Sequence, residues 1–382
     1  MKRSIGILLL VCLAASVSGQ KSKVLAAIQM IETEKFSEAK ENIELAVGNE
    51  KTSRWHRTYY TKGLLCQSAY EAGVKKEDQK LITLYPDQLF LAYDSYEMAL
   101  KLDARERLKN TIKQKYYLLS NDFRALGEEL YQKKEFGESL RAFENALLIM
   151  KSDLISAKTD TNLVYNTALA AYESQNWEKV IAYLSGLHED AYSSTSSHLL
   201  SFAYLNSGDT LRSEEVIIEG LEMYHYDESL LMYLINYLSK DNRNASAIEI
   251  LDRAIETCPE NFRFLWARGL VYQKMEINDK AIENFLLAAE HSSDEAELYY
   301  HLGVSYSNIG IELRESARRI TKNNIYKEVR EQYLDKFREA VKWLERSYKL
   351  DPHKKETASA LSQLYSQLQM KEELENMKQL AY

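Results

Sequence analysis

The chain has 382 residues, 49 of them basic and 57 acidic, for a net charge of −8 at neutral pH. That balance argues against general nucleic-acid binding, which needs a basic footprint. Three prolines and thirteen glycines argue against a turn-rich β architecture of this size. With few breakers and many Leu, Ala, Glu, Lys and Tyr, the composition predicts an all-α chain of long helices and short turns.

At the N-terminus, Lys2 and Arg3 precede an apolar run from Ile5 to Ala15, followed by "SVSG". A positive segment, a short apolar segment and small residues at a cleavage point predict a signal peptide over 1–19, cut after Gly19. A buried first helix is the alternative. The run falls short of the roughly 20 apolar residues that span a bilayer, and no later segment qualifies. Cys12 does not fit a lipidation site, because Val11 precedes it and the apolar run continues past it. The expectation is an exported chain, periplasmic, of residues 20–382. Removing Lys2 and Arg3 leaves 47 − 57 = −10. Cys66 and Cys258 survive cleavage, too far apart in sequence to predict a bridge.

Next in chain order, "FSEAKENIELAV" places Phe36, Ala39, Ile43 and Ala46 on one helical face. "YYTKGLLCQSAYEAG" (Tyr59 to Gly73) reads as a helix whose partner begins only near Pro86, about seventeen residues late. "LAYDSYEMALKLD" supplies Ala92, Tyr96 and Ala99. "ARERLKNTIKQKYYLLS" is expected as an additional, locally basic helix. The helix pair "FRALGEELYQKKEFGESLRAFENAL" and the run "NWEKVIAYLSGL" follow. "HEDAYSSTSSH" (His188 to His198) reads as a loose joint.

From there the pattern becomes periodic. Ala247, Leu251 and Ala254 recur as Ala281, Phe285 and Ala288, and backward as Ser213, Ile217 and Gly220, each time at an offset of 34. Gly269 and Gly303 share that offset, as do Tyr272 and Tyr306. Units are expected to begin near Ser194, Glu228, Phe262 and Ala296. Small residues at fixed points let one helix ridge sit in its neighbour's groove, and the large residues fill the space created. A second lengthened pair follows Ala296, with about twenty-five extra residues and a turn expected at Thr321 to Asn324. Its basic residues Arg314, Arg318, Arg319, Lys322 and Lys327 alternate with Glu312, Glu315, Glu328 and Glu331, which reads as a solvated, salt-bridged face. The final pair, about 354–382, has lost the small-residue pattern, as a capping unit does.

With these residues in place the chain resembles the tetratricopeptide repeat family, whose 34-residue helix–turn–helix unit has Trp/Leu/Gly/Tyr positions in its first helix and Ala/Phe/Ala/Pro positions in its second. The closing proline position is matched by Pro259 and Pro352. The resemblance implies a right-handed α-solenoid of about eight to nine units, with insertions at about 73–87 and 311–336. Together with the leader, it points to exported repeat proteins of Bacteroidetes-type bacteria. It also implies that positions two, five, nine and twelve of each first helix face a concave side. Those positions select Arg124, Tyr131, Tyr165, Tyr172, His198, Phe202, Met232, Asn236, Arg263, Trp266, Gln273 and Tyr300. Aromatics flanked by Asn, Gln and Arg suit an extended or helical peptide; the alternative is that these aromatics pack against neighbouring helices. The family's Lys/Asn clamp for two carboxylates is not matched.

No chemistry competes with that reading. None of the seven histidines sits in an H-E-x-x-H pair, and no phosphate or dinucleotide loop occurs. Glu297 and His301 share a helix face, a solvated contact rather than a metal site. Cys66 falls where Tyr272 and Tyr306 fall in other units, a packing position. No catalytic residue, metal or cofactor is expected. The function read from the sequence is a non-catalytic scaffold in the cell envelope binding a protein or peptide, without nucleic acid and without a membrane span. An enzyme or small-ligand binder with an unrecognised site, and a structural spacer, are the alternatives.

Overall fold

A computed structural model describes residues 21–380, with side chains to Met377. The expected leader, 1–19, lies outside the described residues. Nineteen helices and no strand make up this span, in the order α1 (21–32), α2 (Phe36–Val47), α3 (His56–Lys76), α4 (Gln79–Ile82), α5 (Gln88–Leu102), α6 (Lys109–Gln132), α7 (Phe136–Lys151), α8 (Thr161–Glu173), α9 (Trp177–Glu189), α10 (Ser194–Ser207), α11 (Thr210–Met223), α12 (Glu228–Lys240), α13 (Asn244–Thr257), α14 (Phe262–Lys274), α15 (Asn278–His291), α16 (Ala296–Ala317), α17 (Asn323–Leu350), α18 (Lys355–Leu368) and α19 (Lys371–Leu380). The chain falls into two compact units, one ending at Ser213 and one beginning at Glu214. First helices α10, α12, α14 and α16 start at the four positions the 34-residue period selects.

Four of the helix pairs are locked by a small-to-large contact. A Cβ placed on Gly127 would stand 2.6 Å from the Phe143 ring, and one on Gly269 would stand 2.5 Å from the Phe285 ring. Gly63 meets Tyr96 in the same way, and Gly303 meets Leu344. The uninterrupted pairs are separated by 143 − 127 = 16 and 285 − 269 = 16 residues. The other two are separated by 96 − 63 = 33 and 344 − 303 = 41, which leaves 17 and 25 extra residues. The insertions therefore enter between the helices of a pair and leave the lock intact. Phe143, Phe285, Tyr96 and Leu344 are all buried, each contributing about 1.5–3 kcal/mol of apolar transfer.

Three-residue turns explain how so few glycines suffice. Glu34, Lys134, Gln175, Asn242 and Glu276 each occupy the middle of such a turn at φ of 57–63°. The residue after each donates its N–H back across the turn: Lys35 to Met30 O, Glu135 to Leu130 O, Asn176 to Ala171 O, Arg243 to Leu238 O and Ile277 to Tyr272 O. This closing bond satisfies a helix-end carbonyl and offsets the strain of a left-handed non-glycine residue. Side-chain caps from Asp160, Ser193, Asp227 and Asn261 start α8, α10, α12 and α14. Each is worth about 1 kcal/mol. All three prolines lie outside the helices.

Three expectations change. The additional helix and the following repeat helix are one continuous element, α6, because neither Gly nor Pro separates Lys109 from Arg124. The turn between α16 and α17 covers 318–322 rather than Thr321 to Asn324. The expected loose joint is a tight connection. His188 is buried and its Nδ1 lies 2.7 Å from Ser197 Oγ, while Ser193 caps α10. The serines that suggested flexibility are spent on capping and on buried hydrogen bonds.

Candidate inner-face binding site

Within the unit that ends at Ser213, α6 and α8 leave a pocket of about 160 Å³ lined by Glu128, Tyr131, Gln132, Phe143, Asn166 and Leu169. Its floor is the ring that fills the space beside Gly127. Its rim is polar: Glu128 and Gln132 are exposed and Asn166 half-buried. Tyr131 is half-buried, edge-on to Phe136 at 5.2 Å. Burial, with Glu173 and Tyr165 nearby, raises the Tyr131 phenol above its ordinary range. The pocket thus offers apolar walls with donors and acceptors at the mouth.

Further along the same unit, Tyr172, Trp177 and Phe202 form a cluster with ring centroids 5.5–5.8 Å apart. Tyr165 packs on Tyr192 at 5.3 Å, and Tyr192 donates to Asn162. Arg124 is ion-paired with Asp160, the residue that caps α8. His198 is half-buried and held below its ordinary pKa by burial. The structure therefore brings Tyr172 and Phe202 together and gives Arg124 a structural partner.

In the unit that begins at Glu214, most of the expected positions have internal partners. Arg263 pairs with Glu228. Gln273 donates to His301 O at 3.0 Å and to Ser305 Oγ at 2.7 Å, and its Oε1 lies 2.8 Å from His301 Nδ1. Tyr300 lies under Lys354 Nζ at 4.0 Å and edge-on to His301. Met232 packs on the core around Leu231 and Leu234. Trp266 packs on the core around Phe285 and Leu298, with its indole N–H buried and unbonded. Asn236 is exposed.

Glu297 and His301 make no ion pair. Burial lowers the His301 pKa to about 4, its Nε2 is 4.0 Å from Glu297, and Glu297 pairs instead with Lys354. Cys66 is buried and its thiol is pushed up to about 12 by burial, so it packs rather than reacts. Cys258 is also a free thiol. Among the described residues, no three His, Cys, Asp or Glu are grouped to hold a metal ion, and no helix is long and apolar enough to cross a membrane. A larger cleft of about 490 Å³ at the ends of α5, α6 and α7 is lined in part by Tyr93, Glu97, Asp103, Lys109 and Tyr116. Several of its polar groups are engaged internally: Tyr116 donates to Glu97, Asp103 accepts from Leu108 N, and Lys109 pairs with Glu106.

One titratable network lies between α3 and α6. Tyr96 donates to Gln67 Oε1 at 3.0 Å, and Gln67 Nε2 donates to Asp122 Oδ2 at 3.0 Å. Burial, then the neighbouring Glu71 carboxylate, raises Asp122 to about 7.

The residues picked from the sequence included Tyr131 but not Glu128, Gln132, Asn166 or Leu169. Glu128 and Leu169 occupy position nine of their units, where the position rule would have found them; Gln132 and Asn166 occupy positions the rule ignores. Trp177 was missed because it starts a second helix.

No protein-family model matches this chain, and no curated protein does. Solved structures do. YrrB, "a TPR protein with an unusual peptide-binding site", is 19% identical over 58% of this chain and 98% of its own, with a TM-score of 0.36. A TPR repeats protein from Bacteroides fragilis NCTC 9343 is 16% identical over 65% and 98%, at 0.35. The human IFIT1 dimer with m7Gppp-AAAA is 15% identical over 84% and 68%, at 0.38. The chain's own geometry is that of a helical repeat array: α10, α12, α14 and α16 start at 34-residue steps, and four helix pairs are locked small-to-large.

Proposed function

We propose that the chain is an exported, non-catalytic scaffold that binds an extended or helical segment of a partner protein on the inner face of α6 and α8. The observation supporting this reading is the pocket beside Tyr131, sized for one apolar side chain and rimmed by Glu128, Gln132 and Asn166. Open polar side chains around an apolar floor suit a peptide with one anchor residue, its backbone held at the rim. Removal of residues 1–19 would present this face outside the cytoplasm.

Panning a displayed peptide library against the chain tests the site. Enriched peptides should share a single large apolar anchor. Leu169→Arg should weaken a selected peptide by roughly 100-fold, the cost of losing one buried anchor pocket, with the melting temperature unchanged. Undiminished binding by a folded Leu169→Arg chain overturns the assignment. Export is checked separately, by finding residue 20 at the mature N-terminus.

A further inference from the structure

The paired helices α16 and α17 run past the rest of their unit, and their tip is unlike the remainder of this acidic chain. Residues 318–330 contain Arg318, Arg319, Lys322, Lys327 and Arg330 against Glu328 alone, 5 − 1 = +4. Two of the five are internally paired, Arg318 with Glu315 and Arg330 with Glu331. Arg319, Lys322 and Lys327 are exposed, as the sequence led one to expect, but have no acidic partner among the described residues, so the expected salt-bridging holds for Arg318 and not for these three. The first turn of α17 also holds no acidic residue.

Apolar side chains share this tip. Ile325 and Tyr326 are 40% and 38% exposed, and Ile320 lies between the cations. Lower down, the pair is firmly held. Gly310 lies against Phe337, Ala317 is buried, and Arg314 reaches both Phe337 and Gln367 of α18. Beyond Arg314, the hydrogen bonds and ion pairs of 315–330 all stay within α16 and α17. The result is a stiff stalk ending in a compact cationic and apolar knob.

We propose that this tip docks onto an anionic phospholipid surface. Cations alone would suit any polyanion. Tyr and Ile exposed beside Lys and Arg suit a bilayer interface, where the ring and alkyl groups enter the headgroup layer while the charges meet lipid phosphates. The stalk would hold the repeat body away from the membrane plane.

The test is co-sedimentation of the full chain with vesicles of phosphatidylcholine alone or with phosphatidylglycerol added. Variants keep residues 1–20, so any contribution of that segment cancels between them. The wild-type chain should partition onto the anionic vesicles in preference to the neutral ones, and less so at high salt. Reversing three charges (Arg319→Glu, Lys322→Glu, Lys327→Glu) should lower that partition roughly 100-fold. Ile325→Ser with Tyr326→Ser should lower it roughly tenfold. All substituted positions are exposed, and unchanged thermal melting confirms the fold. Equal partition onto neutral vesicles, or full binding by the charge-reversed chain, overturns the proposal. So does an unchanged partition of the Ser variant, which would leave no role for the apolar side chains that single out a bilayer from any other polyanion.

Discussion

The inner helix faces of the two compact units follow the same positional rule and come out differently. In the first unit, α6 and α8 leave Tyr131 beside a pocket whose rim residues, Glu128, Gln132 and Asn166, point to no internal partner. In the second, Arg263, Gln273 and Tyr300 are engaged by Glu228, by His301 and Ser305, and by Lys354. A repeat position fixes which way a side chain faces. Whether it is available depends on what the neighbouring repeat places opposite it.

The largest expected effect tests what the two units have in common. Gly127→Leu and Gly269→Leu should each destabilise by about 1–3 kcal/mol through overpacking against Phe143 and Phe285. Denaturant melts of both variants would show it. A loss in only one unit would mean that the lock is not shared.

That lock was the most legible feature of the sequence. Small and large residues recurring at an offset of 34 pointed to the paired packing, and the period gave the starts of α10, α12, α14 and α16. Less legible were features that depend on spatial neighbours. The length of α6 was hidden because a second helical pattern abuts the first with no breaker. The commitment of Gln273 was hidden because its partners lie 28 and 32 residues away. The pocket was half visible, through Tyr131, since its other walls are ordinary polar and aliphatic residues.

A second prediction separates the units by pH. Asp122 in the first unit is raised to about 7 from an ordinary value near 3.8. The folded state therefore binds its proton more tightly than the unfolded state does. Stability from this group is present below pH 4 and is lost as pH rises toward 7. Asp122→Asn keeps an acceptor for Gln67 and supplies a donor for Glu71. At pH 8 it should stabilise by on the order of 2 kcal/mol and flatten the decline of melting temperature between pH 4.5 and 8. A parallel decline in wild type and variant would remove Asp122 as its source.

The smallest effect compares two glutamines. Gln273→Ala should cost about 1–1.5 kcal/mol of stability, since it leaves His301 O, His301 Nδ1 and Ser305 Oγ short of a partner. It should leave peptide affinity intact. Gln132→Ala should do the reverse, with stability within about 0.5 kcal/mol of wild type and affinity reduced severalfold. Matching behaviour of the two variants in calorimetry and titration would erase the distinction between the faces.

The preserved small-to-large lock also bears on how the chain folds. In the uninterrupted pairs the locking residues are 16 apart, so each pair can close on its own as a local event. In the two interrupted pairs the separation grows to 33 and 41. Each doubling of a closed loop adds about 0.6 kcal/mol of entropic cost, a modest barrier further lowered by the helices inside the loop. Repeat arrays can nucleate anywhere and propagate. The short pairs are the expected first nuclei, with α3–α5 and α16–α17 closing late, against neighbours already in place.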